Sequence, residues 1–333
     1  TTTTSLVASI FTEASLDPTF INGGIINSFA SNAKLGKGDY LVAEADESDQ
    51  SFLMLQPSVS IITNIEEDHL INYGNDFENL RKAFLSFVKK LPFDGLLIAC
   101  GDDPELQKLL PQCSRPNVTY GFDETNDYVI SNYEPSEFRS HFLLTYSGQS
   151  IQIDLNMLGR HNALNASAAC VLAIEEGIDT SIIQVALKNF MGISRRMQVV
   201  GNMNIKNSNL ILIDDYGHHP SEIKNTIESI RESHPKKKLT MVFQPHRYSR
   251  TKDLFEEFIE VLQLVDQLIL LDVYPAGEDL IKNYESKDLF KKLKDTTLNV
   301  CLSEESKVNI AIEESLENHE GIILMQGAGN ISK

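Results

Sequence analysis

The feature that most constrains the fold is a set of short apolar runs, each of which ends abruptly in polar residues. The runs are continuous rather than alternating, which is typical of strands covered on both faces in a parallel sheet flanked by helices. Helical patterns with apolar residues three or four apart lie between them, for example at residues 77–91 and 221–233. The sequence therefore predicts a doubly wound α/β fold. The apolar runs are YLVA at 40–43, SIIT at 60–63, LLIA at 96–99, LILI at 210–213, LTMVF at 239–243, LILL at 268–271 and IILM at 322–325.

The chain of 333 residues is longer than one hydrophobic core usually organises, so two domains are expected. Residues 117–156 change to alternating, turn-interrupted segments, which predict a small antiparallel patch. The helical periodicity then breaks between Gly192 and Gly201. We therefore place the domain boundary there and expect domains at residues 1–194 and 195–333.

The balance of charges argues against nucleic-acid binding. The formal net charge is -18, and no run rich in Lys and Arg is visible beyond residues 236–238, so the chain would repel a polyphosphate backbone. The four cysteines are scattered without metal-ligand spacing, which predicts neither a disulfide framework nor a zinc site. No apolar run approaches the roughly 18 residues of a membrane span, and no signal-peptide pattern is visible. We therefore expect a cytoplasmic protein without membrane insertion, whose oligomeric state the sequence does not indicate.

Three places along the chain carry residues suited to nucleotide chemistry. The run TTTTS at residues 1–5 precedes an apolar helical pattern and fits the end of a P-loop, where a hydroxyl binds Mg²⁺ beside ATP phosphates; it also fits a simple helix N-cap. Glu44 and its acidic neighbours follow an apolar run, where they could hold Mg²⁺ or form a solvated loop. Asp68 and His69 follow the next run. Together these features favour a magnesium–nucleotide site.

Ten motifs occur along the chain in this order: TTTTS, INGGIIN, EADESDQSFL, TNIEEDH, LGRHNALNA, RRM, DDYGHHP, FQPHRYSRT, VYPAGE and QGAGNI. In order and spacing they resemble the Mur ligase family over essentially all 333 residues. The resemblance implies a P-loop-type ATP-binding domain with a mostly parallel sheet and a small antiparallel patch, followed by a Rossmann-like α/β domain that binds the amino acid. It also implies that the family's N-terminal UDP-sugar domain and P-loop lysine would stand before Thr1.

The resemblance further implies an ATP-dependent amide ligase of peptidoglycan precursor synthesis. In this family a substrate carboxylate attacks the γ-phosphate of ATP to give an acyl phosphate, and the amine of an amino acid then displaces the phosphate. The motifs EADESDQSF and VYPAGE favour UDP-N-acetylmuramate and L-alanine as substrates. Two alternatives stay open, namely a sister ligase that recycles UDP-muramoyl tripeptide and a nucleotide-binding module without ligase activity. We expect weak or absent ligation from residues 1–333 alone.

By resemblance, ATP and two Mg²⁺ ions are expected near the start of the chain. Thr1 and Thr2 would lie at the phosphates, with the Thr1 hydroxyl and the Glu44 carboxylate as ligands of the first Mg²⁺. His69 would bind a second Mg²⁺ that bridges the γ-phosphate and the attacking carboxylate, although imidazole is a less usual ligand for this ion. Where the family tends to have an aspartate two residues later, this chain has Ile71, for which we expect no polar role.

The remaining ATP contacts are also implied by the resemblance. His161, Asn162 and Asn165 would bind the nucleotide, with the Asn165 carboxamide at the adenine edge; helix capping is the alternative function of such residues. Arg196 matches the family arginine that reaches the ATP phosphates, a role that suits a planar guanidinium. Asp215 would contact the ribose.

The resemblance places the amino-acid substrate in the second domain. Tyr216 and His218 would face the reaction centre. His246, Arg247 and Arg250 would bind the incoming amino acid, with the two arginines, three residues apart, on its carboxylate. The residues expected to take part in the chemical steps are His69, Arg196 and His218.

Overall fold

A computed structural model of the chain describes residues 1–205, 208–296, 298–316 and 320–331. The chain divides into two units, Thr1–Ile193 and Ser194–Lys333, which we call the first and second units. The division falls one residue before the boundary that the sequence suggested. Among the residues described, no helix is both long and apolar enough to cross a membrane.

The first unit is built from two sheets and the helices that cover them. Its α-helices are α1 (Thr2–Glu13), α2 (Phe77–Val88), α3 (Pro104–Leu109), α4 (Arg160–Glu175) and α5 (Thr180–Lys188). Its strands are β1 (Thr19–Ile26), β2 (Ser31–Lys34), β3 (Leu41–Ala43), β4 (Val59–Ile62), β5 (Leu96–Cys100), β6 (Asn117–Gly121), β7 (Tyr128–Ser136), β8 (Arg139–Tyr146) and β9 (Gln149–Leu155). Short 3₁₀ helices lie at Ser51–Met54, Leu70–Tyr73 and Leu110–Gln112.

The larger sheet of the first unit confirms the predicted α/β fold. Its strand order is β4-β5-β6-β7-β8-β9, in which neighbouring strands from β4 to β7 are parallel and those from β7 to β9 are antiparallel. The predicted antiparallel patch is therefore a continuation of the parallel sheet, and it begins at β7 because β6 still pairs parallel with both neighbours. Helix α4 packs against α1 and against the sheet, and it buries small residues, among them Ala163, Ala166, Ala169 and Ala173.

The apolar run at residues 40–43 does not join the larger sheet. Its strand β3 pairs parallel with β1, which pairs antiparallel with β2. This small sheet is covered on one face only, because Phe20 is fully buried whereas Ile21 and Leu41 are more than half exposed. The pairing holds the end of β3 beside β1, where the backbone N–H of Glu44 donates to the carbonyl oxygen of Ile21.

The second unit is a single sheet with helices on it. Its strands are β10 (Gln198–Ile205), β11 (Ser208–Asp215), β12 (Lys238–Phe243), β13 (Gln267–Leu270), β14 (Asn299–Leu302) and β15 (Gly321–Gln326). Its α-helices are α6 (Pro220–Ser233), α7 (Tyr248–Asp253), α8 (Phe255–Leu262), α9 (Ser286–Lys294) and α10 (Val308–Ser315), and a 3₁₀ helix lies at Glu305–Lys307.

The sheet of the second unit has the order β10-β11-β15-β12-β13-β14 and is parallel except for the edge strand β10. Asp215, Gln326 and Phe243 stand in register at the ends of the adjacent strands β11, β15 and β12. The loops that follow these strands therefore leave the same edge of the sheet, the edge at which open α/β sheets bind ligands. Motifs DDYGHHP, FQPHRYSRT and QGAGNI all begin there.

Candidate functional site

The start of α1 brings together two predicted magnesium ligands. The Thr1 hydroxyl donates to Oε1 of Glu44 at 2.7 Å, and the backbone N–H of Gly23 donates to Oε2 at 2.6 Å. Thr1 stands at the N-cap position of α1, but its side chain makes no capping hydrogen bond, so simple capping does not explain it. A hydroxyl beside a carboxylate is a hard oxygen pair of the kind that Mg²⁺ accepts, since the ion takes its other ligands from water and phosphate.

Two hydrogen bonds favour the charged form of Glu44. Burial on its own would raise the pKa of the Glu44 carboxyl, whereas the hydroxyl of Thr1 and the N–H of Gly23 act to lower it. Little room is left around the carboxylate, because a Cβ on Gly23 would lie 2.9 Å from Oε2 of Glu44. A larger residue at this position would therefore require the Glu44 carboxylate to move away from β1.

A chain of side-chain hydrogen bonds joins α1 to the start of α4. The Thr3 hydroxyl donates to Oδ1 of Asn165 at 2.9 Å, and Asn165 donates to Oδ1 of Asn162 at 3.4 Å. Asn162 is buried and donates to the carbonyl oxygen of Leu158, so its amide group also fixes the first turn of α4. The structure therefore places Asn165 next to the first turn of α1, which contains Thr2 and Thr3. His161 lies in the same turn of α4 as Asn162 and is partly buried.

The acidic loop after β3 is tied to the segment that follows His69. The Tyr73 hydroxyl donates to the carbonyl oxygen of Glu47 at 2.5 Å, and the Asn72 side chain donates to the carbonyl oxygen of Ser48 at 2.5 Å. These bonds connect loops that leave two different sheets of the first unit. They hold the two acidic motifs, EADESD and EEDH, side by side.

His69 itself lies beside Asp68, with 3.4 Å between Nε2 and Oδ2. Both side chains are about one-third exposed. In the part of the chain that the structure describes, no group of three or more His, Cys, Asp or Glu side chains is arranged to hold a metal ion. A second Mg²⁺ at His69 would thus depend mainly on ligands from outside the protein. Ile71, two residues after His69, is 78% exposed.

The two arginines of the motif RRM have different partners. Arg195 donates to the carbonyl oxygens of Gly327 and, at 3.1 Å, of Gly329, so it fixes the loop after β15. Arg196 instead contacts α6: its Nη1 lies 3.3 Å from Oε1 of Glu222 in the first turn of that helix. Arg196 is therefore the arginine whose guanidinium remains available, through its other N–H groups, to an anionic ligand.

Asp215 organises the strand ends of the second unit. Its buried carboxylate accepts hydrogen bonds from the backbone N–H groups of Met197 and Gly217, both at 2.8 Å, and from Nε2 of Gln326 at 2.7 Å. These bonds join the segment before β10, the turn after β11 and the end of β15. The contact of Asp215 with a ribose stays a prediction, whereas its structural function is evident.

Four aromatic rings follow one another above this edge of the sheet. Tyr216 and His218 meet edge to face, with 5.6 Å between ring centroids, and His218 lies 5.7 Å from His246. The His246 ring stacks on Tyr274 at 5.5 Å with an interplanar angle of 9°. The structure thus brings together three of the residues predicted to surround the amino-acid substrate.

The two arginines predicted to bind a carboxylate differ in their surroundings. Nη1 of Arg250 lies 3.4 Å from Nδ1 of His246, so Arg250 extends the row of rings. Arg247 is half exposed, and its Nη1 lies 3.5 Å from Oε1 of Glu278. Glu278 also accepts hydrogen bonds from the N–H and hydroxyl of Ser249. Only Arg250 is therefore directed toward the histidines, and Arg247 is paired with the VYPAGE loop.

Several of these residues adopt a left-handed backbone conformation that is unfavourable for residues other than glycine. Such a conformation costs on the order of 1–3 kcal/mol per residue and clusters at functional sites. The residues with positive φ next to the candidate site are His69 (57°), Arg195 (60°), Met197 (48°) and Arg247 (73°).

Glu222 is a site residue that the sequence analysis missed. It forms a capping box with His219 at the start of α6, and it also binds Arg196. Burial would raise the pKa of Glu222, but His218, Arg196 and the backbone N–H groups of His218 and His219 lower it to about 2. The spacing of His219 and Glu222 was the available signal, since Glu three residues after an N-cap is typical of a capping box.

His246 should make the free energy of unfolding depend on pH. Burial, the neighbouring His218 and the two arginines lower the pKa of His246 to about 4, from an ordinary value of 6.5. Between these values the unfolded chain binds a proton on His246 that the folded protein does not, so the free energy of unfolding falls as the pH falls from 6.5 to about 4.

Chemical denaturation at several pH values in this window checks the expectation, with His246→Gln as the test variant and His234→Gln as the control. The His246 variant should lose less stability on acidification than the unsubstituted protein and the control. Parallel curves for all three proteins would contradict the assignment of this pH dependence to His246.

Known proteins match both units. The family model described as "Mur ligase middle domain" matches residues 1–173, and the model described as "Mur ligase, glutamate ligase domain" matches residues 195–329. The curated UDP-N-acetylmuramate–L-alanine ligase of Baumannia cicadellinicola subsp. Homalodisca coagulata is 48% identical over 339 residues, which cover 99% of this chain and 69% of that protein.

Solved structures agree with this. The UDP-N-acetylmuramate–alanine ligase MurC of Thermotoga maritima superposes with a TM-score of 0.82 at 29% identity, over 100% of this chain and 70% of that one. The murein peptide ligase of Psychrobacter arcticus, at 21% identity and a TM-score of 0.69 over 100% of this chain and 73% of that one, shares the fold. With both of its units matched in this way, the chain belongs to the Mur ligase family.

Proposed function

We propose that this protein is an ATP-dependent amide ligase that joins L-alanine to UDP-N-acetylmuramate in peptidoglycan precursor synthesis. The observation that carries the ligase chemistry is the Thr1 hydroxyl at 2.7 Å from the Glu44 carboxylate, at the start of a helix, where ATP phosphates and Mg²⁺ are readily held. The 48% identity to a ligase of that name supports the two substrates. Because ATP and nucleotide sugars are cytoplasmic metabolites, we assign the protein to the cytoplasm.

In the first unit, Thr1, Thr2 and Glu44 would hold ATP and one Mg²⁺, and His69 a second. Bound Mg²⁺ would screen the negative charges of the phosphates from the attacking carboxylate. His161, Asn162 and Asn165 would surround the adenine; of these, Asn165 is the one whose amide is tied to α1. In the second unit, Arg196 would grip the phosphates, and Asp215 would contact the ribose as well as fixing the strand ends.

His218 is suited to accept the proton that the alanine amine must lose. Burial, together with Arg250 and Arg196, lowers the pKa of His218 despite the nearby Glu222 carboxylate, so the imidazole is neutral at neutral pH. Its Nδ1 lies 3.2 Å from the carbonyl oxygen of Tyr216, which can only accept, so we assign the hydrogen to Nδ1. Nε2 is then free to accept a proton, while Arg250, beside His246, would bind the alanine carboxylate.

The direct test follows phosphate release from ATP by the full-length gene product with UDP-N-acetylmuramate and a series of amino acids. We expect release that requires both UDP-N-acetylmuramate and L-alanine, with D-alanine as the matched control. Release with UDP-N-acetylmuramate and a tripeptide, but not with L-alanine, would assign the protein to the recycling ligases. The absence of release with every acceptor would leave a nucleotide-binding module.

A further inference from the structure

Glu222 uses its two carboxylate oxygens for different partners. Oε2 accepts hydrogen bonds from the backbone N–H groups of His218, at 2.9 Å, and of His219, at 3.2 Å. Oε1 lies 3.3 Å from Nη1 of Arg196. One side chain therefore joins the backbone turn that presents His218 to the guanidinium of Arg196.

The negative charge of Glu222 indicates a role beyond capping helix α6. A capping box is satisfied by a neutral Gln as well as by Glu, because only an acceptor oxygen is needed. Arg196, by contrast, is held more strongly by a carboxylate than by a neutral acceptor, and both side chains of the pair are about one-third exposed. The contact uses one guanidinium nitrogen, so donors of Arg196 remain for a second anion.

The backbone on either side of the pair is also fixed. The N–H of Met197, next to Arg196, donates to the carboxylate of Asp215, and Arg195 is bound to the loop after β15. Arg196 thus leaves a rigid segment, and the orientation of its guanidinium is set by Glu222. Holding an arginine in one orientation lowers the entropy that it would lose on gripping a phosphoryl group.

We propose that Glu222 is a positioning residue that holds the Arg196 guanidinium in the orientation in which it binds a phosphoryl group and couples it to the turn presenting His218. This inference rests on the proposed ligase function. It assigns Glu222 no contact with a substrate, because its oxygens are directed at protein donors.

The test compares steady-state kinetics of the full-length gene product carrying Glu222→Gln with those of the unsubstituted enzyme. Gln keeps an acceptor for the backbone N–H groups and removes the charge that holds Arg196. We expect kcat/KM for ATP to fall roughly 10- to 100-fold, the range of a charge-assisted hydrogen bond. The KM for L-alanine should change far less. Glu228→Gln, an exposed substitution on the same helix, serves as the matched control.

A double-mutant cycle with Arg196→Lys separates positioning from a general effect on folding. If Glu222 acts through Arg196, its effect should nearly vanish once Arg196 is replaced. Adding Glu222→Gln to the Arg196→Lys enzyme should then lower kcat/KM for ATP by less than about threefold. Glu222→Asp provides a second variant, because it keeps an acidic residue in the first helical turn but is too short to reach Arg196. It should also lose activity.

Three results would overturn the proposal. The first is a Glu222→Gln enzyme as active as the unsubstituted one, and the second is an equal loss of kcat/KM for ATP whether or not Arg196→Lys is also present. The third is tighter ATP binding by the Glu222→Gln enzyme. The last would mean that Glu222 competes with the phosphates for Arg196. Failure of the proposed function is distinguishable from all three, because the unsubstituted enzyme would then show no alanine-dependent phosphate release.

Discussion

In the full-length gene product, replacing Arg250 with alanine should raise the KM for L-alanine about 100-fold, the value expected for a lost guanidinium–carboxylate pair. Arg250 is the arginine of its motif that lies against His246, and His246 is held by stacking on Tyr274. The guanidinium is therefore fixed before the amino acid binds. The KM for ATP should stay nearly constant, because the lost interaction belongs to the amino acid alone.

Two matched variants sharpen this measurement. Lys252→Ala removes an exposed cation from the same helix and should leave the KM for L-alanine unchanged. Arg247→Ala should have a smaller effect than Arg250→Ala, because Arg247 is paired with Glu278 and half exposed. Equal effects of the two arginine substitutions would contradict the distinction that the structure makes between them.

Replacing Asp215 with alanine should lower the free energy of unfolding by about 3 kcal/mol, because it leaves several buried donors without their acceptor. The donors are the N–H groups of Met197 and Gly217 and the side chain of Gln326, which is fully buried. These groups belong to three separate segments of the second unit. The loss should therefore be seen as an earlier transition of that unit on chemical denaturation.

Glu232→Ala, at an exposed position of α6, is the control and should change the free energy of unfolding by no more than about 0.5 kcal/mol. A similarly small change for Asp215→Ala would show that water or a shifted side chain replaces the carboxylate. It would also make a ligand-binding function of Asp215 the stronger explanation of its place at the strand end.

The parallel strands could be predicted because each is a continuous apolar run, and this pattern is visible without knowing which strands it pairs with. The continuous apolar runs at residues 96–99 and 322–325 are strands β5 and β15, both in the interior of their sheets. Strand β1 could not be recognised, since its sequence TFINGGII contains two glycines and an asparagine that read as a turn. Its pairing with β3 depends on partners distant in sequence, which local patterns do not reveal.

The candidate site was predictable where chemistry and position coincide. Thr1 and Glu44 are 43 residues apart, yet each stands at the end of an element whose type was evident, and the fold brings them together. The pairing of Glu222 with Arg196 was not predictable, because the spacing of His219 and Glu222 indicates only a helix cap. Nor could the two arginines near α7 be told apart, since their difference comes from Glu278 in a later loop.

The left-handed backbone at His69 and Arg247 has a consequence for how this sequence can change. At both positions glycine would remove the backbone strain of a positive φ. The residue that folds with the least strain therefore differs from the one that carries a functional side chain. Sequence drift that favours only stability would be expected to erase these side chains. Under the proposed function, the His69 imidazole and the Arg247 guanidinium would be the reason for a residue other than glycine at these two positions.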